Sequence, residues 1–511
     1  MQKIKDIRVQ LVLLFVVFLV LFLRAFLTID PDFGWHLQMG KYLLSYGIPS
    51  TDPFSYTMSS YHFVDHEWLT NIFFYVAHSI FGKFWMAIYV SLLGAIAVGL
   101  SALSGYNGTI KKLYASLKGK DAYLIFGTVF ASTASLAIFY GIRPQIQSWV
   151  LLSVLLFTLT VEPVRKKFYV YIPLLILFWT NLHGSFALGI AVLGFYESVK
   201  MLFEKKLDLK IIAVIVVSIC ITIINPYGVR IWWEVWMQMS DSQLRWRITE
   251  WLPAFFYFEP TMWLYLTFST SVIIYARKKL SKPHLALAFV VLIQAVLSIR
   301  HVPLFIIISL PLVLRSITVF SSSVIKNKEI EKRYQLVGKL FVTVVLYVSL
   351  LNSPIVLSGV FRQTEEMYYP RYAIEYLKSD LPEGNIFSLY QWGGYLLWNV
   401  PEKKTFIDGR MPSWRRSVAP EAESVNIMNE YFDILAGKLD FEDYSRRYSI
   451  NTVLWPKRVL VMPDIIQTLR WFFKIDTQEA FIFEEYLESS QDWEKVYEDQ
   501  VSVIYQRASI E

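Results

Sequence analysis

Eleven stretches of the chain are almost wholly apolar: near 9–28, 83–104, 122–141, 146–162, 168–181, 185–203, 210–224, 261–276, 284–299, 301–320 and 335–353. A hydrocarbon core of about 30 Å takes about 20 such residues to cross as a helix, so the pattern predicts a polytopic α-helical membrane bundle of about 11 spans. The fifth and sixth stretches are short and meet at 181–184, as in a hairpin. The first follows Lys3, Lys5 and Arg8 with no small-residue cleavage site after it, which predicts an uncleaved signal anchor. From about 355 the pattern turns to short alternating and amphipathic runs. These predict helices at 373–378, 421–436 and 462–473, strands at 385–389, 404–407 and 452–454, and a closing hairpin of 493–497 with 501–505. The expected division is a transmembrane part at 1–354, with a first external loop at 29–70, and a C-terminal soluble α/β domain at 355–511.

Charge gives this pattern a direction. Lys111, Lys112, Lys118 and Lys120, then Arg165, Lys166 and Lys167, then Lys205 and Lys206, then Arg277, Lys278 and Lys279, then Lys326, Lys328, Lys332 and Arg333 occupy alternate loops. Basic residues in short loops stay cytoplasmic. An eleven-span chain with a cytoplasmic N-terminus and an extracytoplasmic C-terminal domain puts every one of these clusters inside.

The composition agrees with a membrane protein: 55% hydrophobic, 18% charged, and a mean hydropathy of +0.41. Soluble proteins carry about 25% charged residues. The net charge of +7 conceals two parts, because residues 361–511 hold 17 Lys and Arg against 25 Asp and Glu. The basic excess therefore lies in loops between apolar spans and is a topology signal, so nucleic acid is excluded as a partner. The single cysteine, Cys220, rules out an intramolecular disulfide and a cysteine metal cluster.

On this topology the unusual polar residues share the external side. Asp30 and Asp32 follow the first span at once, flanking Pro31. An ionisable group at the membrane boundary is a functional candidate, here a general base for an acceptor hydroxyl. The plainer alternative for Asp32 is a cap on the short helix that follows. Arg143 and Arg300, each in a turn at a span end, suit bidentate phosphate binding; the alternative is snorkelling to the interface. His301 neighbours Arg300. His36, Asp52, His66, Glu67, His183, Glu250 and Trp251 complete the candidates as substrate contacts. His62 and His66 have a metal-like spacing, yet the segment reads as extended and no third ligand is fixed, so no metal site is assigned. Ile231–Arg247 reads as an aromatic stretch at the headgroups. Gly393-Gly394-Tyr395 and Asp408-Gly409-Arg410 read as turns that either hold the α/β fold or help bind an acceptor.

Taken together, "DPDFGWHLQMGKYLLSYGIPSTDPFSYT", "HEWL", "RPQ", "NLHG", "NPYG" and "EW", joined to "YQWGGYLLWNVPEKKTFIDGR", resemble the C-type (GT-C) membrane glycosyltransferases. That superfamily includes protein O-mannosyltransferases and lipid A aminoarabinose transferases. The resemblance implies a polyprenyl-phosphate sugar donor, a glycan, lipid or protein acceptor, and inversion at the anomeric carbon. It implies that Asp30 or Asp32 matches the catalytic acid of the first external loop, and that Arg143, Arg300 or His301 meets the phosphate. No nucleotide-sugar motif is present, and a donor already resident among membrane lipids requires none. No cofactor is fixed, and a divalent metal is compatible. The competing readings are a transporter or flippase of lipid-linked glycans, a surface-polysaccharide ligase or polymerase, and an assembly scaffold. Inverted repeats and midplane helix breaks mark transporters, whereas here the polar residues gather at one face.

Overall fold

A computed structural model describes residues 2–241, 248–257, 259–362, 364–457 and 479–508. The helix expected at 462–473 and residues 242–247 of the aromatic stretch lie outside these residues. The chain divides into two compact units, one of Met1–Leu27, Lys83–Ile231 and Thr249–Val360, the other of Thr28–Gly82, Trp232–Ile248 and Phe361–Glu511.

In the first unit every apolar stretch falls on a helix, from Gln2–Leu27 through Ala122–Ala137, Gln145–Thr160, Ile172–Leu182 and Phe186–Glu204 to Val302–Val324 and Lys328–Arg362. Among the described residues four helices are long and apolar enough to cross a membrane: Trp68–Gly105, Phe186–Glu204, Ile299–Val324 and Lys328–Leu351. A fifth is reached if Gln145–Thr160 and Glu162–Leu182, bent by 101° at their junction, are one span. Phe15–Leu27, Ala122–Ala137, Leu209–Ile223 and Lys282–Leu297 are apolar but shorter. Val302–Val324 is the central helix, buried continuously from Phe305 to Leu314, as expected of a helix apolar on all sides. Pro311 within it cannot donate to the Ile307 carbonyl. Ser101 Oγ does so instead, at 2.6 Å, so the break in the ladder is compensated by a neighbouring helix.

In the second unit four strands form a mixed sheet in the order β1–β2–β4–β3: β1 is Asn385–Ser388, β2 Ile450–Pro456, β3 Trp493–Glu498 and β4 Ser502–Arg507. β1 and β2 are parallel, β2 and β4 antiparallel, and β3 and β4 make the expected hairpin. Asp499 closes that hairpin by accepting from the Val501 and Ser502 amides. The strand expected at 404–407 is reduced to one residue: Thr405 bridges Ile386 on one side and Ser55 on the other. It stops there because Asp408 turns the chain. The helix expected from 421 begins at Ile427, since Asn426 caps it by accepting from the Asn429 amide.

Ser55 shows that the first loop belongs to this unit. Helix Phe33–Tyr46 and the segment after it bury Trp35, Met39, Leu43, Phe54, Met58 and Phe63 in the same cluster as Phe387, Phe406, Trp414, Tyr431 and Trp455. The expected boundary, with 29–70 inside the transmembrane part, differs from this arrangement. Its physical basis is the amphipathic face of Phe33–Tyr46, which is covered by apolar residues of the C-terminal domain. Gly34 faces Gly394, where a methyl group on Gly34 would lie 2.1 Å from the Gly394 carbonyl oxygen. Two side-chain-free positions let helix Phe33–Tyr46 meet helix Gly393–Asn399 main chain to main chain.

Candidate functional site

In the first unit, the Arg143 turn precedes helix Gln145–Thr160, and Arg300-His301 precedes Val302–Val324. Both arginines point at one carboxylate, Glu250. Arg143 Nη2 donates to Glu250 Oε1, and Arg300 Nη1 lies 3.9 Å from Oε2. The Ile299 amide donates to the Leu252 carbonyl at 2.9 Å and ties the Arg300 turn to the segment that carries Glu250. Arg300 also stands over the Trp251 ring, 5.1 Å from its centroid, and that ring is in edge contact with His301. Burial raises the Glu250 carboxyl, but Arg143 and Arg300 outweigh it and hold the group below its ordinary range. The sequence placed these five residues together by location alone. The structure brings them into one cluster with two cations on one anion.

His183 lies in the same unit, buried at the start of helix Phe186–Glu204. Its Nδ1 accepts from the Ser185 amide at 3.0 Å, and Ser185 Oγ is linked to Ser148 Oγ and Trp179 Nε1. That network fixes a helix start, and His183 sits in it.

The second unit carries the aspartates. Asp30 Oδ1 accepts from the Asp32 amide at 3.0 Å, closing a tight turn around Pro31. The Phe33 and His36 amides donate to the Asp30 and Asp32 carbonyls. The Asp32 side chain makes no capping bond to helix Phe33–Tyr46, which removes the plainer reading offered for it. Its carboxylate instead lies against Gly409: a methyl there would be 1.7 Å from Asp32 Oδ1. Two phenols face this turn. Tyr368 is pushed up to about 12 by burial first and by the Asp30 carboxylate second, and Tyr369 is raised by burial, Tyr368, Asp30 and Asp32. Tyr369 Oη also donates to the Ile29 carbonyl at 3.1 Å.

Asp52, expected as a substrate contact, is fully enclosed. It accepts from the Phe54 and Ser55 amides and from Arg410. Arg410 in turn holds Asp408 through Nε at 2.8 Å and Nη2 at 2.7 Å, and lies over the Phe54, Phe63 and Trp414 rings. Substrate would have to break this buried triad to reach Asp52.

His36 and Glu67 belong to another buried network, with the half-buried His66 at its edge. His36 Nδ1 is 2.7 Å from Asn71 Oδ1, and Asn71 Nδ2 donates to both Asp65 oxygens at 3.0 and 2.8 Å. Glu67 Oε2 is 3.6 Å from His36 and Oε1 is 3.8 Å from His66. His62 is exposed, with Nδ1 3.3 Å from the Ser50 carbonyl oxygen. Among the described residues no group of three or more His, Cys, Asp and Glu side chains is placed to hold a metal ion. Asp65, Asn71, Tyr368, Tyr369 and Arg410 were not singled out individually from the sequence. The Asp-Gly-Arg and Gly-Gly-Tyr turns were the signal that pointed nearest to them.

No protein-family model matches the chain, and no curated protein matches it.

Proposed function

We propose that the protein is a membrane glycosyltransferase that moves a sugar from a polyprenyl-phosphate donor to an extracytoplasmic acceptor, with inversion. The observation that carries this reading is the convergence of Arg143 and Arg300 on a single carboxylate. Two guanidinium groups aimed at one anion form a site that also suits a phosphate, and Trp251 beside them offers a flat apolar wall. Support for a base comes from the Asp30–Asp32 turn, in which the Asp30 carboxylate accepts from the Asp32 amide and acts electrostatically on Tyr368 and Tyr369.

In the reaction the acceptor hydroxyl attacks the anomeric carbon while the carboxylate of Asp30 takes its proton. The bond from that carbon to the phosphate oxygen breaks, and polyprenyl phosphate leaves with the electron pair. One displacement inverts the centre. Asp32 orients the acceptor. The proposed topology has eleven spans of the GT-C kind, a cytoplasmic N-terminus and residues 355–511 outside in the cell envelope. It is supported by the helical state of every apolar stretch and by the one-sided basic loops.

The test is transfer of a labelled sugar from a polyprenyl-phosphate donor by purified wild type, Asp30→Asn and Asp32→Asn. A positioned base contributes about 10²–10⁴-fold, so the variant lacking the base loses about that much rate and still binds donor. Full turnover in both variants would show the carboxylates to be structural and end the mechanism.

A further inference from the structure

Helix Arg230–Ser240 carries its side chains the unusual way round. With a period of three, Ile231, Glu234 and Met237 face inward at 0, 4 and 5% exposure, while Trp233, Trp236 and Met239 face outward at 61, 62 and 75%. On a helix bathed in water the carboxylate belongs outside and the indoles inside. Here the outward stripe holds two indole rings and a thioether with no charge among them, and the one acidic side chain of the helix is buried.

The inward side is committed to partners of its own. Glu234 Oε1 accepts from Gln238 Nε2 at 3.3 Å, and burial pushes its carboxyl up to about 7 against the bonds from Gln238 and Ser413. At the end of the helix Arg415 Nη2 donates to Ser240 Oγ at 2.8 Å, and Arg415 Nη1 lies 2.9 Å from Asp241 Oδ2. These contacts fix the rotation of the helix, so the indoles stand outward because the opposite face is pinned.

The chain leading into the helix indicates what covers the stripe. The helix begins seven residues after the apolar helix Leu209–Ile223 ends, and residues 224–229, Ile-Asn-Pro-Tyr-Gly-Val, carry no charge. Ile223, Ile224 and Val229 are exposed at 54, 62 and 68%. Asn225 closes this connection into a tight turn: its Oδ1 accepts from the Tyr227 amide at 2.7 Å, and its Nδ2 donates to the Thr222 and Gly228 carbonyls at 2.7 and 3.0 Å. Exposed apolar side chains therefore run from the end of an apolar helix, through a short closed turn, to the two indoles. An indole suits the boundary of a bilayer, where its ring is buried and its N–H stays wet. A carbohydrate surface would set polar side chains beside the rings, but Gln238 and Ser240 are engaged by Glu234 and Arg415.

We propose that the outward stripe of helix Arg230–Ser240 is a membrane anchor, with Trp233, Trp236 and Met239 seated in the interfacial layer of a lipid bilayer. The inference does not depend on the glycosyl-transfer reading.

The experiment uses the full-length protein in phosphatidylcholine nanodiscs. The single cysteine is removed as Cys220→Ser, and a nitroxide is attached in turn to Trp233→Cys, Trp236→Cys, Leu340→Cys and Lys438→Cys. Leu340, exposed on an apolar spanning helix, is the hydrocarbon reference, and the exposed Lys438 is the water reference. Collisions with oxygen, which concentrates in the bilayer, and with a neutral nickel chelate, which stays in water, report depth. The labels at 233 and 236 should favour oxygen more than the label at 438 and less than the label at 340, at a depth of about 5–10 Å. Because each label replaces an indole, a second measurement keeps the native rings: quenching of tryptophan emission by dibrominated phosphatidylcholine should be smaller in Trp233→Phe/Trp236→Phe than in wild type. Nickel access at both positions equal to that at 438 puts the stripe in water and overturns the anchor. Shelter from both reagents means that protein covers the stripe, a second copy or another chain, and overturns it equally, as does unchanged quenching in the double variant. None of these readouts needs transfer activity, so an inactive wild type ends the functional proposal and leaves the anchor to be decided by its own measurements.

Discussion

Arg410 and Asp52, 358 positions apart in the chain, form an ion pair closed off from solvent. The pair joins the first loop to the C-terminal domain at a point where both are surrounded by aromatic rings. Asp408 completes it, so one cation serves two carboxylates, and burial costs on all three groups are met by charge and by main-chain bonds.

Removing that cation should be severe. Arg410→Met leaves Asp52 and Asp408 buried with no counter-charge, and breaking such a pair costs about 3–5 kcal/mol. Arg410→Lys should rescue little, because an ammonium cannot make the fork of bonds to Asp408. Thermal unfolding of the purified full-length variants checks both, and a Lys variant with wild-type Tm would contradict the geometry.

Asp65 should make stability depend on pH. Burial raises its carboxyl from 3.8 to about 7, against the lowering by Asn71 and the Glu67 amide. The folded state therefore binds this proton more tightly than the unfolded state. The stabilisation is complete below about pH 4 and is lost as pH rises towards 7, with a slope of about 1.4 kcal/mol per pH unit in between. In Asp65→Asn that descending slope should flatten. Denaturant unfolding at a series of pH values provides the measurement.

The arginine cluster yields a pair of opposite effects. Arg143→Ala removes a charge-assisted phosphate contact worth about 1.5–3 kcal/mol, so donor affinity should fall about tenfold or more. Glu250→Gln removes the anion that both arginines now hold, so affinity for the same donor should rise. Binding of a short-chain polyprenyl phosphate to each variant measures this, and parallel losses in both would show that Glu250 helps to build the site and does not compete for it.

Truncation tests the joint core. A chain ending at Val360 strips the apolar partners from Trp35, Met39, Phe54 and Phe63. Residues between Gly47 and Tyr61 should then be cut rapidly by a protease that spares them in the full-length protein. Equal resistance would mean that the first loop is folded by other contacts.

The positions of the apolar helices of the first unit and of the two alternating strands of the closing hairpin follow from the chain alone, because an apolar run or a period of two needs no distant partner to declare itself. Basic loops and the proximity of Asp30 and Asp32 to the first span were legible for the same reason. The company kept by Asp32, Asp52 and Arg410 was not. A carboxylate 24 residues beyond the first apolar stretch, as Asp52 is, reads as equally suited to substrate, cap or ion pair, and only the fold brings Arg410 to Asp52 and Gly409 to Asp32. The first loop is the sharpest case. Its sequence shows an amphipathic helix with an apolar face but not what covers that face, since burial depends on which surfaces meet in space. Tertiary structure supplied the cover from residues more than 300 positions away, and with it the assignment of Thr28–Gly82 to the same unit as the C-terminal sheet.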